Sequence, residues 1–441
     1  MEALKRLFLS RRTVIVLIGL TLAAIAIGAL VPQAFITPAA DLAAWRAAHP
    51  QLAPWADRLG LHNVFTTPAF AAVLFLSCIS LGLSTVEQCR SSWRRTFAPV
   101  REVNAGQAFA SPLSIEEVAR RLQKLGYFRV AHGGMPRLVR HPWGYWGNAL
   151  LHLGILAAIV ASLCITLTQQ QGIIHLVEGE THQPGQKWLL SDRGVLGREF
   201  VLPEAIRLER VYARFWPTHG LKALASTVSF PASGNPLESR TVATNSVLQH
   251  RGLRIYQGTE FGHAFHAEVT YPSGRKDVLE LLIKHPLAPD RPGYGEFPSA
   301  LGGDYLLRTK YFVDEEKKSL SREAPLLVIR VDEGGRELGQ VPLRVGERGA
   351  VGEFRFRLLS VSKWSRLIFV NLTGISGVFS GFFIIVLGSI LHYFAAPREI
   401  LLQPGNGGCR VAWRAVKFAG FYDDEFAQLK RELGGETNNN G

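Results

Sequence analysis

GNALLHLGILAAIVASL, residues 147–163, is an apolar run that carries one imidazole, His152, near its start. The nearest formal charge before it is Arg140, and the next after it is Glu178. A hydrocarbon core about 30 Å thick needs roughly 20 predominantly apolar residues in a helix, and the uncharged stretch Pro142–Thr168 meets that length. Three further stretches do the same or nearly so: Thr13–Val31, Val64–Val86 and Leu367–Ala396. Inside lipid a helix satisfies its own backbone donors and acceptors. The sequence therefore predicts four transmembrane α-helices, three N-terminal and one C-terminal.

The formal charge of +13 is unevenly distributed. Residues 1–12 hold Lys5, Arg6, Arg11 and Arg12 against Glu2, while the loop 32–63 balances Asp41 and Asp57 with Arg46 and Arg58. Residues 87–141 carry ten basic side chains against four glutamates. Basic, neutral, basic is the alternation that an excess of Lys and Arg on the cytoplasmic side requires. Both termini are expected inside and the long 169–366 segment outside, with a charge-balanced tail at 397–441. The basic excess lies beside membrane spans, where topology and anionic lipid account for it, so nucleic acid is not an expected partner. A cleaved signal peptide has an apolar core of about 7–15 residues. Thr13–Val31 exceeds that, and an uncleaved helix is expected.

From Ile165 to Gly408 there is no cysteine, so the outer segment must hold itself together by its core. The chain has no Cys-x-x-Cys, which leaves a thiol relay or a covalent haem attachment within it unsupported. Short alternating runs punctuated by turns fill the outer segment. APLLVIRVDEGGRELGQVPLRV (324–345) reads as two strands joined at Gly334-Gly335, and HAEVTYPSGRKDVLELLIK (266–284) repeats the plan at Pro-Ser-Gly. EFRFRLLSVSKW (353–364) alternates again. These predict a large extracytoplasmic all-β domain, sandwich- or barrel-like, with two subdomains as one arrangement. On the inner side, SIEEVARRLQKLGYF (114–128) predicts a short helix capped by Ser114 with Glu117 three residues on. The tail 404–441 reads as a weak strand, a short helix and a disordered Asn-rich end.

An ionisable residue at membrane depth faces a bundle interior with a job there, or hydrogen-bonds to a neighbouring helix. His152 is open to both readings. By topology it lies roughly 8 Å inside the cytoplasmic edge, at about 1.5 Å per residue. His392, near the end of the fourth stretch, is either an interfacial anchor or a second imidazole for one haem iron. The outer histidines (175, 182, 219, 250, 263, 266 and 285) form no metal triad, and His263 and His266 fall on opposite faces of a strand. No phosphate-cradling glycine loop, Gly-x-Ser-x-Gly or His-Glu-x-x-His occurs. No active site is expected in this chain alone.

Three helices, an outer β domain and a closing helix resemble the ResB (CcsB) family of system II cytochrome c biogenesis proteins, from the first helix to Arg398. GALVPQ (28–33), LLHLGIL (150–156), TVATNSVLQHRGLRIYQG (241–258) and HYFAAPRE (392–399) carry the resemblance. The third stretch looks like the family's pattern, supplied here by Asn245, Leu248, Gly252, Ile255, Tyr256 and Gln257. Asn245 and Gly252 suit turns, and Ile255 and Tyr256 fall on opposite faces, so one of the two is expected in the core.

The resemblance implies a non-catalytic subunit of a haem export and ligation complex in the bacterial inner (cytoplasmic) membrane. It further implies a ResC (CcsA)-like membrane partner, apocytochrome c, a thiol-disulfide reductant as a further partner, and haem held transiently and shared. PWGYWGN (142–148) is not the partner's tryptophan-rich motif, so the chain is expected to be the ResB half alone. His152 then corresponds to an axial haem ligand, with haem iron the one metal expected. Arg137 and Arg140 are candidates for the haem propionates, and His392 stays a secondary ligand candidate. Two other readings remain: a membrane-anchored scaffold whose β domain binds a protein without haem, and a b-type haem subunit of a membrane oxidoreductase.

Overall fold

All four apolar stretches contain long helices in the computed structural model of the chain, which describes residues 2–99, 107–130, 135–230, 238–321 and 324–434. They are α1 (Arg11–Leu30), α2 (Pro68–Phe97), α3 (Gly147–Thr168) and α4 (Ile375–Tyr393). All four are candidate membrane spans. Ser10 caps α1 by accepting from the Thr13 amide at 3.1 Å, and Thr67 caps α2 by accepting from the Phe70 amide at 3.2 Å. The helix α2 runs well past Val86, where the apolar stretch stops, because helical hydrogen bonding does not end at the lipid boundary. Arg94 and Arg95 in its last turn suit the negative end of the helix dipole.

The fourth span is shorter than its uncharged stretch. Leu367–Asn371 belongs to the strand Phe354–Asn371, and α4 begins only after Gly374, whose φ is +114°. Leu367 and Phe369 are fully buried in the β core. A buried strand is as apolar as a membrane helix, so lack of charge alone could not separate the two.

Two compact units emerge: Met1–Leu167 with Thr373–Gly441, and Thr168–Leu372. In the first unit, α3 and α4 meet through glycines. A Cβ added at Gly154 would lie 2.6 Å from the backbone nitrogen of Ile385, and one at Gly388 would lie 2.5 Å from that of Leu151. Lipid offers helices no hydrophobic drive to associate, so close backbone packing through small residues does the work.

Beyond the helices, the first unit holds a five-stranded antiparallel sheet. Its order is Gln107–Ser111, Gly408–Ala415, Arg398–Gly405, Arg137–Arg140, Tyr127–Arg129. The tail is thus a full hairpin, not a weak strand, and it pairs with the 107–140 segment, Leu401 opposite Arg137. The capped helix Ile115–Lys124 and the helix Asp423–Leu433 add Val118, Leu122, Leu429 and Leu433 to this core. A sheet that takes strands from the chain after α2, before α3 and after α4 brings those three helix ends together. Lys5 also pairs with Glu87 at 2.6 Å, which brings the N-terminal segment to α2.

The second unit is all β apart from its turns. Two 18-residue strands, Leu253–Thr270 and Phe354–Asn371, form its spine, paired from Arg254↔Val370 to Thr270↔Arg355. A four-stranded sheet covers each half of the spine. One contributes Leu307, Ile329 and Leu343 to a core with Phe265 and Phe356, and the other contributes Leu208 and Val228 to a core with Ile255 and Phe369. The two cores share these two long strands within one compact unit, and among the described residues the sheets stay open, with no closed barrel.

Candidate functional site

The His152 side chain is half-buried on α3. Its Nδ1 lies 2.9 Å from the carbonyl oxygen of Asn148, one turn back. A carbonyl only accepts, so Nδ1 donates to it, and no hydrogen bond engages Nε2 among the described residues. That is the tautomer a metal-ligating imidazole uses. Asn148 is itself fixed, since its Nδ2 donates to Gln88 Oε1 on α2 at 2.7 Å. The ligand candidate therefore sits on a helix tied to its neighbour.

Gln88 and Asn148 also line a cleft of about 180 Å³ with Ser91, Arg95, His392 and Lys417. Lys417 Nζ lies 2.8 and 2.9 Å from the two ring nitrogens of His392. No ring contact or hydrogen bond joins His392 to His152 among the described residues. His392 is level with Gly147, where an added Cβ would lie 2.5 Å from the His392 nitrogen. His152 is five residues further along α3, about 7.5 Å at 1.5 Å per residue, so the two imidazoles are not at one depth.

Arg137 and Arg140 are placed differently from a propionate clamp. Arg137 is 3% exposed and bonds Glu399 at 3.0 Å and Tyr145 Oη at 2.9 Å, while Arg414 holds the other Glu399 oxygen at 2.9 Å. Arg140 and Arg398 each reach Glu425 at 3.0 Å, and Tyr127 Oη donates to it at 2.7 Å. Burial, then the Glu425 charge, pushes the Tyr127 phenol up, so it stays a donor. These arginines cross-link the small sheet to its last helix and to Tyr145. The cations that do line the cleft are Arg95 and Lys417. Arg95 is visible in the sequence only as one of many basic residues, and Lys417 lies in the bend after the strand Gly408–Ala415, whose pairing with Gln107–Ser111 is non-local.

In the second unit the quoted pattern is structural. Asn245 is exposed in the turn after Glu238–Ala243. Arg251 and Gly252, with φ of +46° and +82°, make the two-residue turn between Leu248–His250 and the long strand. Ile255 is core at 1% exposure and Tyr256 faces the other way, half-buried. Gln257 is buried, donating to Ser365 Oγ at 2.6 Å and to the Gly258 carbonyl at 3.1 Å. His263 is buried against Tyr311 Oη at 3.1 Å, whereas His266 lies on the other face beside Glu280. Among the described residues no group of three or more His, Cys, Asp or Glu could hold a metal.

Four candidate membrane spans, the third of which carries His152, with a large β unit between the third and the fourth in the chain, are the pattern of a polytopic membrane protein. The ResB-like family profile matches residues 11–285, and the chain belongs to that family. It is 24% identical over 266 residues to cytochrome c biogenesis protein CcsB of Trichormus variabilis, and equally so to that of Nostoc sp.. Each match covers 60% of this chain and 54% of the relative, so the chain spans about half the length of these curated relatives. Among solved structures, the cytochrome c heme lyase CcmF aligns over 80% of this chain and 44% of its own at 11% identity, with a TM-score of 0.26, below that of a shared fold.

Proposed function

We propose that this chain works in cytochrome c maturation, as the ResB-like subunit of a complex that carries haem across the membrane and presents it to apocytochrome c. Haem is cargo here, not a resident group, and a ResC-like membrane protein shares its ligation. The observation that carries the reading is His152 in a membrane-length helix, its Nδ1 held by the Asn148 carbonyl and its Nε2 not engaged by a hydrogen bond among the described residues. A neutral nitrogen ligand in low dielectric is what the protein can offer haem iron. Family membership and the names of the relatives support the same pathway.

The basic 1–12 and 87–141 segments support a cytoplasmic placement of the small sheet and both termini. The β unit is then extracytoplasmic, on the side where apocytochrome c receives haem. Deleting the gene in its host should remove covalent haem from c-type cytochromes while b-type cytochromes remain. A plasmid copy should restore it, and a His152→Ala copy should not. Normal c-type haem staining in the deletion strain would refute the proposal.

A further inference from the structure

The cleft at the ends of α2, α3 and α4 has a chemistry of its own. Arg95 is in the last turn of α2, Asn148 in the first turn of α3 and His392 in the last turn of α4, while Lys417 reaches in from the bend that follows the tail hairpin. Two cations, an imidazole and two amides converge there, and among the described residues no Asp or Glu lines the cleft. The nearby carboxylates are committed elsewhere: Glu87 to Lys5, and Glu399 to Arg137 and Arg414. Burial first, and then the charge of Arg95, pushes the Lys417 ammonium below its ordinary range.

We propose that this cleft binds the phosphate headgroup of an anionic phospholipid. Position argues for lipid. The cleft opens where three candidate spans end, and basic pockets between membrane helices are where acidic headgroups bind. Size argues for a headgroup over a macrocycle. Pockets for drug-sized ligands run to roughly 300–1,000 Å³, and this one is about 180 Å³. Exposed aromatic residues at the same helix ends, Trp93 and Tyr393, suit the interfacial level such a headgroup occupies. A bound acidic lipid would neutralise Lys417 and pin the tail hairpin to the helix bundle.

The test is native mass spectrometry of the full chain released from nanodiscs of phosphatidylcholine doped with phosphatidylglycerol. Wild type should retain phosphatidylglycerol. The double variant Arg95→Gln, Lys417→Gln should lose about tenfold or more of that adduct, given about 1 kcal/mol per basic side chain. A double variant of equal charge change at other positions, Arg90→Gln, Arg94→Gln, should retain it, and Lys417→Arg should too, which guards against simple misfolding. Equal retention in all variants, or equal loss in both double variants, would overturn the assignment. So would an adduct of inorganic phosphate or haem at the cleft that excludes the lipid. None of these readouts depends on whether His152 ligates haem.

Discussion

The Asn148 carbonyl oxygen stands 2.9 Å from Nδ1 of His152, and Asn148 in turn holds Gln88 through its side chain at 2.7 Å. One residue thus sets the tautomer of the imidazole with its backbone and ties the helix to α2 with its amide. Asn148→Leu should leave the carbonyl bond and remove the tie. Loss of a half-buried side-chain hydrogen bond such as this one costs about 1 kcal/mol. The expected outcome is a small fall in thermal stability with His152-dependent haem loading reduced, not abolished, read as the haem-to-protein ratio of the purified complex.

Glycine contacts between α3 and α4 should tolerate little. Gly154→Leu would drive side-chain atoms into the Ile385 backbone, which an added Cβ already approaches to 2.6 Å. Overpacking of this kind costs about 1–3 kcal/mol or more. The detergent-solubilised variant should melt several degrees lower than wild type, whereas Gly19→Leu, where an added Cβ meets nothing within 4 Å, should not.

Glu399 holds Arg137 and Arg414 together within the small sheet. Removing its charge strands the buried Arg137 guanidinium, and breaking a buried pair from one side costs about 3–5 kcal/mol. Glu399→Gln should therefore lower melting well below that of Arg121→Gln, which breaks only the exposed pair with Glu117. Equal melting points would show that the network contributes nothing.

Acid should weaken the β unit. Burial, aided by the charges of His285 and Lys363, holds the His263 imidazole down to about 3, and burial holds that of His175 down to about 4. Both lie below the ordinary value near 6.5, so the unfolded chain takes up protons first as pH falls. Their contribution is complete above about pH 6.5 and is lost progressively toward pH 3. Melting temperature should fall steadily across that window, and His263→Leu should flatten the slope whatever it does to stability at neutral pH.

Much of this was legible in the residues themselves. Ser114 accepts from the Glu117 amide at 3.3 Å and the helix it starts buries Val118 and Leu122, as the capping pattern predicts. The Gly334-Gly335 and Pro-Ser-Gly turns join the strands their alternation implies. What local pattern could not supply was pairing at long range. Leu401 pairs with Arg137 although the whole β unit lies between them in the chain, so the tail hairpin, the fate of Arg137 and the arrival of Lys417 at the cleft were out of reach. The overlong fourth span had a different cause. Leu367 and Phe369 are apolar because a β core buries them, not because lipid does.

The most direct measurement is the Soret absorbance per mole of protein for the chain co-purified with its ResC-like partner, wild type against His152→Ala. The account predicts a Soret band in the wild-type complex and its loss, about tenfold or more, in the variant, with partner stoichiometry unchanged; a ligand swap of this kind alters the axial bond that sets haem retention. Equal haem in the two complexes would return His152 to helix packing and contradict the account.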